Sequence, residues 1–249
     1  MTGDRAALRR RALMLTLVLM NGLYAFNQML VVPILPTIER EFDESTARVT
    51  LILSVFLIVS CVATPIVGRL SDPFGRRRLL LGALVAFLVG SLLAAVAPNL
   101  WVLVIARALQ ASSGALAPLA IGLLRDLLPR ETMHRAIGAI MSASMIGSGL
   151  GAAISGLVAD FLDWRLLFGI SSIAIGVLLA AAWRLTPRDL GGTRTPVDVR
   201  GALLLSLALV AVLVALTEGA HWGWSSPAVL ALVAVGLTGF AVWQAHERR

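Results

Sequence analysis

Arg107 stands inside a run of otherwise apolar residues. A guanidinium carries five N–H donors and stays charged, so it does not settle among hydrocarbon without partners. Two placements meet that demand. Either the side chain faces protein or a watery cavity, where it marks a functional site, or it snorkels to a nearby interface. Gln110, Ser112 and Ser113 follow in the same run, and Pro118 comes five residues after Ser113. A second polar pair, Asn27-Gln28, precedes Pro33 in another apolar run. These residues are candidates for lining a central cavity; the alternative is that they bond only to neighbouring helices.

A different chemistry is written between two apolar runs, in Gly68-Arg-Leu-Ser-Asp-Pro-Phe-Gly-Arg-Arg-Arg-Leu. Gly68 and Gly75 permit a tight turn and close helix approach. Asp72 can pair with an arginine such as Arg76 or Arg77, or face a helix N-terminus. Further on, Gly147, Gly151 and Gly156 sit among Ser and Ala. Small residues at 144, 148, 152 and 156 would share one helical face and allow close backbone contact. Nucleophile–base constellations, phosphate-binding glycine loops and metal-ligand spacings are all missing from the pattern. His134, His221 and His246 fall in loops or at run ends, and Cys61 reads as a small buried packing residue. The expectation is therefore of no enzyme, no cofactor and no metal.

The elements that must position these residues follow from composition. The 249 residues are 58% hydrophobic and 14% charged, with a mean hydropathy of +0.89. Soluble domains carry about 25% charged residues, so this chain has too little polar surface for a water-soluble globule. The net charge of +7 does not indicate a nucleic-acid partner, because the arginines sit in short clusters between apolar runs. A helix crosses the hydrocarbon core with about 20 apolar residues. Spans are expected at 13–36, 49–68, 79–97, 100–124, 136–159, 164–183, 201–217 and 226–245. The seventh is the shortest. The first, though preceded by Arg9-Arg10-Arg11, is too long for a cleaved signal peptide.

Arginine-rich loops stay cytoplasmic. Placing the N-terminus inside leaves only Arg40, Arg48 and Arg165 on the outer side, with Arg107 within a span. Both termini are then cytoplasmic, in a multi-pass protein of the cell membrane. Trp101, Trp164, Trp183, Trp222, Trp224 and Trp243 all fall near span ends, the depth that amphipathic indole prefers. Asp72, Asp126, Asp160 and Glu218 lie at span edges, so no carboxylate is placed mid-span.

The Gly68–Leu79 segment resembles G-x-L-[SA]-D-x-x-G-R-[RK], the cytoplasmic signature of the major facilitator superfamily. Arg107-Ala-Leu-Gln-Ala-Ser-Ser-Gly114 is similar to that family's R-x-x-Q-G-x-G motif, with Ala111 and Ser113 in place of glycines. Gly147–Gly156 resembles its antiporter motif, with Ala152 for the proline and Ser155 for a glycine. The end of the first span resembles D-x-T-x-x-N-x-A-L-P of fourteen-helix drug:proton antiporters. Asn27 occupies its acidic position there, and only Leu35 and Pro36 keep the core identity.

The resemblance implies an all-α polytopic membrane bundle with six helices at 1–186, a cytoplasmic linker at 187–200, and two additional transmembrane helices at 201–249. It implies proton-coupled efflux of a small lipophilic or cationic compound, or a metabolite, by alternating access. In that scheme Arg107 and Gln110 tune coupling, and Asp72 and Arg76 form a latch between bundles. The charged end His246–Arg249 resembles the lead into a second bundle, which would roughly double the length. The alternatives are a truncated, non-transporting bundle, or a half-transporter completed by dimerisation or by a separate chain.

Overall fold

The computed structural model describes residues 2–187 and 199–247. The linker at 188–198 and the side chains of Asp72, Asp160 and His221 lie outside the described residues. The described residues form helices α1 (Thr2–Met29), α2 (Val31–Phe42), α3 (Thr46–Phe74), α4 (Arg76–Ala95), α5 (Leu100–Ala111), α6 (Leu116–Leu127), α7 (Arg130–Phe161), α8 (Arg165–Leu185), α9 (Val199–Trp222) and α10 (Pro227–Glu247). A short 3-10 turn, Ser112–Ala115, joins α5 to α6. Eight stretches among them are long and apolar enough to cross a membrane. The seventh, Arg200–Gly219, is longer than the sequence suggested, and its helix runs on to Trp222.

Local chemistry sets the boundaries. Asn99 caps α5 by accepting a 3.0 Å hydrogen bond from the Val102 amide, which turns the chain sharply after α4. Gly75, between α3 and α4, has φ +84°, a conformation that side chains with a Cβ resist. Gly223, with φ +87°, serves likewise between α9 and α10.

Two expected spans prove discontinuous. The first breaks at Leu30, between α1 and α2. Pro33 has no amide to bond the Met29 carbonyl, and its ring crowds that carbonyl, so the helix restarts with the proline in its first turn. The fourth loosens over Ser112–Ala115, where Pro118 denies the Gly114 carbonyl its partner. The Ser112 hydroxyl also bonds back to the Leu109 carbonyl at 2.7 Å.

Within the first six spans, α1 lies most extensively against α7 and also against α8, while α4 packs on α5 and α8, and α3 on α5. Their core has two apolar clusters stacked along the bundle. One gathers Leu17, Leu84, Phe87, Leu119, Leu123 and Ile140; the other gathers Ile34, Ile38, Ile52, Leu103, Trp164 and Phe168. On α1, α4 and the fourth span, the residues between these clusters include the buried polar Asn27, Ser91, Arg107 and Gln110. Helices α9 and α10 pair with each other, and α9 rests on α3. Near that contact the Arg69 guanidinium lies 5.9 Å from the Trp243 ring.

Burial corrects two further expectations. Cys61 is half-buried, because α3 keeps much of its surface uncovered. Trp164, at the start of α8, packs into the core and is 1% exposed instead of facing lipid. Its indole donates to Glu41 at 2.6 Å.

Candidate functional site

The polar layer between the two clusters is built from one turn of each broken span and from the middle of α4. Arg107, on α5, is 0% exposed, so the snorkelling alternative is excluded. Its Nη1 donates to the Asn27 carbonyl at 2.9 Å and to Gln110 Oε1 at 2.8 Å. Gln110 Nε2 in turn donates to Ser91 Oγ on α4 at 2.8 Å. The guanidinium carbon lies 4.0 Å from the centre of the Phe56 ring, a favourable cation–π placement where water is excluded. Phe56 also stacks on Tyr24, and the Tyr24 hydroxyl shares a 2.7 Å hydrogen bond with Ser60 Oγ. Three spans are thus tied to Arg107 or to its aromatic partner.

Arg107 Nε and Nη2 and Asn27 Oδ1 are buried without hydrogen-bond partners. Every acceptor that Arg107 has among the described residues is neutral. A buried charge in that state is unfavourable.

Three of the six cavity candidates, Arg107, Gln110 and Asn27, meet here. Asn27 contributes its carbonyl, while its side-chain amide bonds back to the Leu23 carbonyl at 3.0 Å. Ser113 is buried and donates to the Ala83 carbonyl at 2.6 Å, tying the 3-10 turn to α4. Ser112 serves the turn itself. Gln28 is half-buried and outside the network. The layer is closed inside the bundle instead of lining an open surface, as the full burial of Asn27, Arg107, Gln110 and Ser113 records. Ser91, Phe56, Tyr24 and Ser60 were not foreseen. Isolated polar residues inside apolar runs were the available signal for Ser91 and Ser60, but nothing in sequence spacing pairs Phe56 with Arg107.

The loop signature is mostly helical. Gly68 lies inside α3 with open space around its α-carbon, so it mediates no close approach; the turn is made by Gly75 alone. Arg76 bonds the Gly122 carbonyl at 3.0 Å and forms an ion pair with Asp126, at the end of the fourth span. Arg77 donates to the carbonyls of Thr186 and Trp183, at 3.1 and 3.0 Å. These are the exposed acceptors at the C-terminus of α8, where a cation is favoured. The pairing of Asp72 lies outside the described residues.

The small residues of α7 do allow close contact, but on a different face. A Cβ added at Gly147 or Gly151 would strike the backbone carbonyls of Gly22 or Phe26 on α1. The contact row is therefore 143, 147 and 151, and Ala152 on the expected row is exposed. Gly156 is loosely surrounded, with Pro33 Cβ 3.9 Å from an added Cβ. Helix rotation, which composition does not encode, chose the row.

The sequence profile of the Major Facilitator Superfamily matches residues 17–246. Among curated proteins, the chain is 30% identical over 228 residues to the MFS-type transporter YvkA of Bacillus subtilis, covering 91% of this chain and 51% of YvkA. It is 31% identical to the puromycin resistance protein pur8 of Streptomyces alboniger, covering 86% of this chain and 43% of that one. It is also 31% identical to the putative multidrug resistance protein MdtD of Escherichia coli, covering 86% and 45%. The chain thus spans about half the length of the curated relatives it matches. Its fold is similar to that of the POT family transporter PepTSo, with a TM-score of 0.64 at 15% identity, over 93% of this chain and 52% of that one.

Proposed function

Since this chain belongs to the Major Facilitator Superfamily, we propose that it supplies one bundle of a carrier that exports a small molecule against a proton gradient by alternating access. The observation that carries this reading is the buried Arg107, held by neutral partners between two interrupted helices at the middle of the bundle. Broken helices at the bilayer midplane are where carriers of this kind place their sites. A guanidinium short of hydrogen bonds responds strongly to a proton or a charged group arriving nearby. The names of pur8 and MdtD tie those proteins to drug resistance, and a small lipophilic or cationic compound is the substrate class proposed for this chain. The N-terminus and the arginine-rich loops face the cytoplasm. The Arg76–Asp126 pair and the Arg77 contacts to α8 stiffen that end, so that the bundle can move as a unit.

The test is efflux of a fluorescent cationic dye from cells expressing residues 1–249, alone and together with a second six-helix bundle. Efflux that collapses with the proton gradient, and that Arg107→Ala abolishes, supports the proposal. Efflux only on co-expression shows that the second bundle comes from another chain. An absence of efflux in both cases, with the protein present in the membrane, favours a non-transporting bundle.

A further inference from the structure

Helices α7 and α8 both pack on α1 but scarcely on each other. Between them runs a groove of about 600 Å³, lined by Leu19, Leu23, Ile146, Leu150, Val177 and Leu178 among others. Its walls are hydrocarbon throughout, and its floor is the close approach of Gly22 to Gly147. Val177 and Ile146 are largely exposed on its rim.

One end of this groove is strongly basic. Gly22 meets Gly147 and Phe26 meets Gly151, so α1 and α7 run parallel in a fixed register. The same register brings Arg9 to the level of His134 and Arg135. Arg184, at the end of α8, joins them, because Arg9 Nη2 donates to its carbonyl at 3.1 Å. Arg9, Arg135 and Arg184 are exposed and form no ion pair among the described residues. The acidic neighbour on α7 is Glu131, exposed in its first turn. Trp183, exposed beside Arg184, marks an interfacial depth. At 1.5 Å per residue, Leu178 lies about 9 Å below Arg184 and Leu150 about 22 Å below Arg135. From the headgroup level, those depths run through one leaflet to about the midplane of a hydrocarbon core about 30 Å thick.

We propose that this groove is a binding site for an anionic phospholipid, with its phosphate among Arg9, Arg135 and Arg184 and an acyl chain between α7 and α8. A ligand charged along its length does not suit these walls, and a neutral lipid leaves the three guanidiniums without a counter-charge. Juxtamembrane arginines attract anionic headgroups, and here they sit at the mouth of an apolar channel of matching depth.

Native mass spectrometry of the purified 249-residue chain, offered equal phosphatidylglycerol and phosphatidylcholine, tests this. Phosphatidylglycerol is expected to be retained in preference, and each of Arg9→Gln, Arg135→Gln and Arg184→Gln to weaken that preference, by up to about fivefold. Val177→Trp, which fills the groove, is expected to lower retention of both lipids. Melting curves establish that each variant is folded. Equal retention of the two lipids overturns the proposal, as does a preference that survives neutralisation. Unchanged retention in Val177→Trp, or displacement by inorganic phosphate, also overturns it, since either separates the headgroup site from the groove. Disulfide-linked dimers formed through Ile146→Cys in a Cys61→Ser background would assign the groove to a second copy instead.

Discussion

Arg107 is bonded to two neutral acceptors and faces a phenylalanine ring, with two of its nitrogens unsatisfied. Breaking a buried ion pair is damaging because the surviving charge is stranded. Here substitution strands only two neutral carbonyl groups, each at a cost of about 1–3 kcal/mol, and relieves a poorly solvated charge of larger penalty. Arg107→Met is therefore expected to leave thermal stability in detergent within about 1 kcal/mol of the parent, or to raise it, while abolishing proton-dependent efflux. A drop of several kcal/mol in the melt would show that the arginine serves packing, not transport. The sequence marked this residue because charge inside an apolar run is conspicuous. Phe56 stayed illegible, since an aromatic residue in such a run looks like any other packing residue.

Helix α7 carries glycines in two distinct environments. At Gly151 an added methyl collides with the Phe26 carbonyl, whereas at Gly156 it finds ordinary contact distance. Gly151→Ala is expected to lower the stability of the bundle by about 1–3 kcal/mol through overpacking. Gly156→Ala should be neutral or stabilise by up to about 1 kcal/mol, from helix propensity. Thermal unfolding of the two variants side by side checks this, and equal effects would deny the α1–α7 crossing. The breaks at Leu30 and at Ser112–Ala115 belong to the same scale. Pro33 and Pro118 were visible, yet a proline can kink a helix, cap it or split it. Which of these happens depends on what neighbouring helices offer to the freed carbonyls.

In the whole molecule, basic residues gather at one end of the spans. That asymmetry supports a cytoplasmic N-terminus, and it gives opposite sides to Thr132, in the first turn of α7, and Ser226, between α9 and α10. In a Cys61→Ser background, Ser226→Cys is expected to react with a membrane-impermeant maleimide on intact cells, and Thr132→Cys only after permeabilisation. The reverse pattern would invert the topology. The division at 187–200 is likewise proposed, resting on the pairing of α9 with α10 and on their contact with the bundle through α3.

Composition and run length alone determined that the chain is a helical membrane protein with eight spans among its described residues, because the bilayer demands about 20 apolar residues per crossing. Short motifs pointed to the family and to Arg107, since charge and glycine are rare in hydrocarbon and stand out there. Rotation, depth and partnership were decided only by the tertiary structure. A hydrophobic span is apolar on nearly every face, so its sequence carries little signal for which side meets a neighbour. That is why the row through Gly147 and Gly151, the burial of Trp164, the Arg76–Asp126 pair and the layer around Arg107 emerged only once the helices were packed.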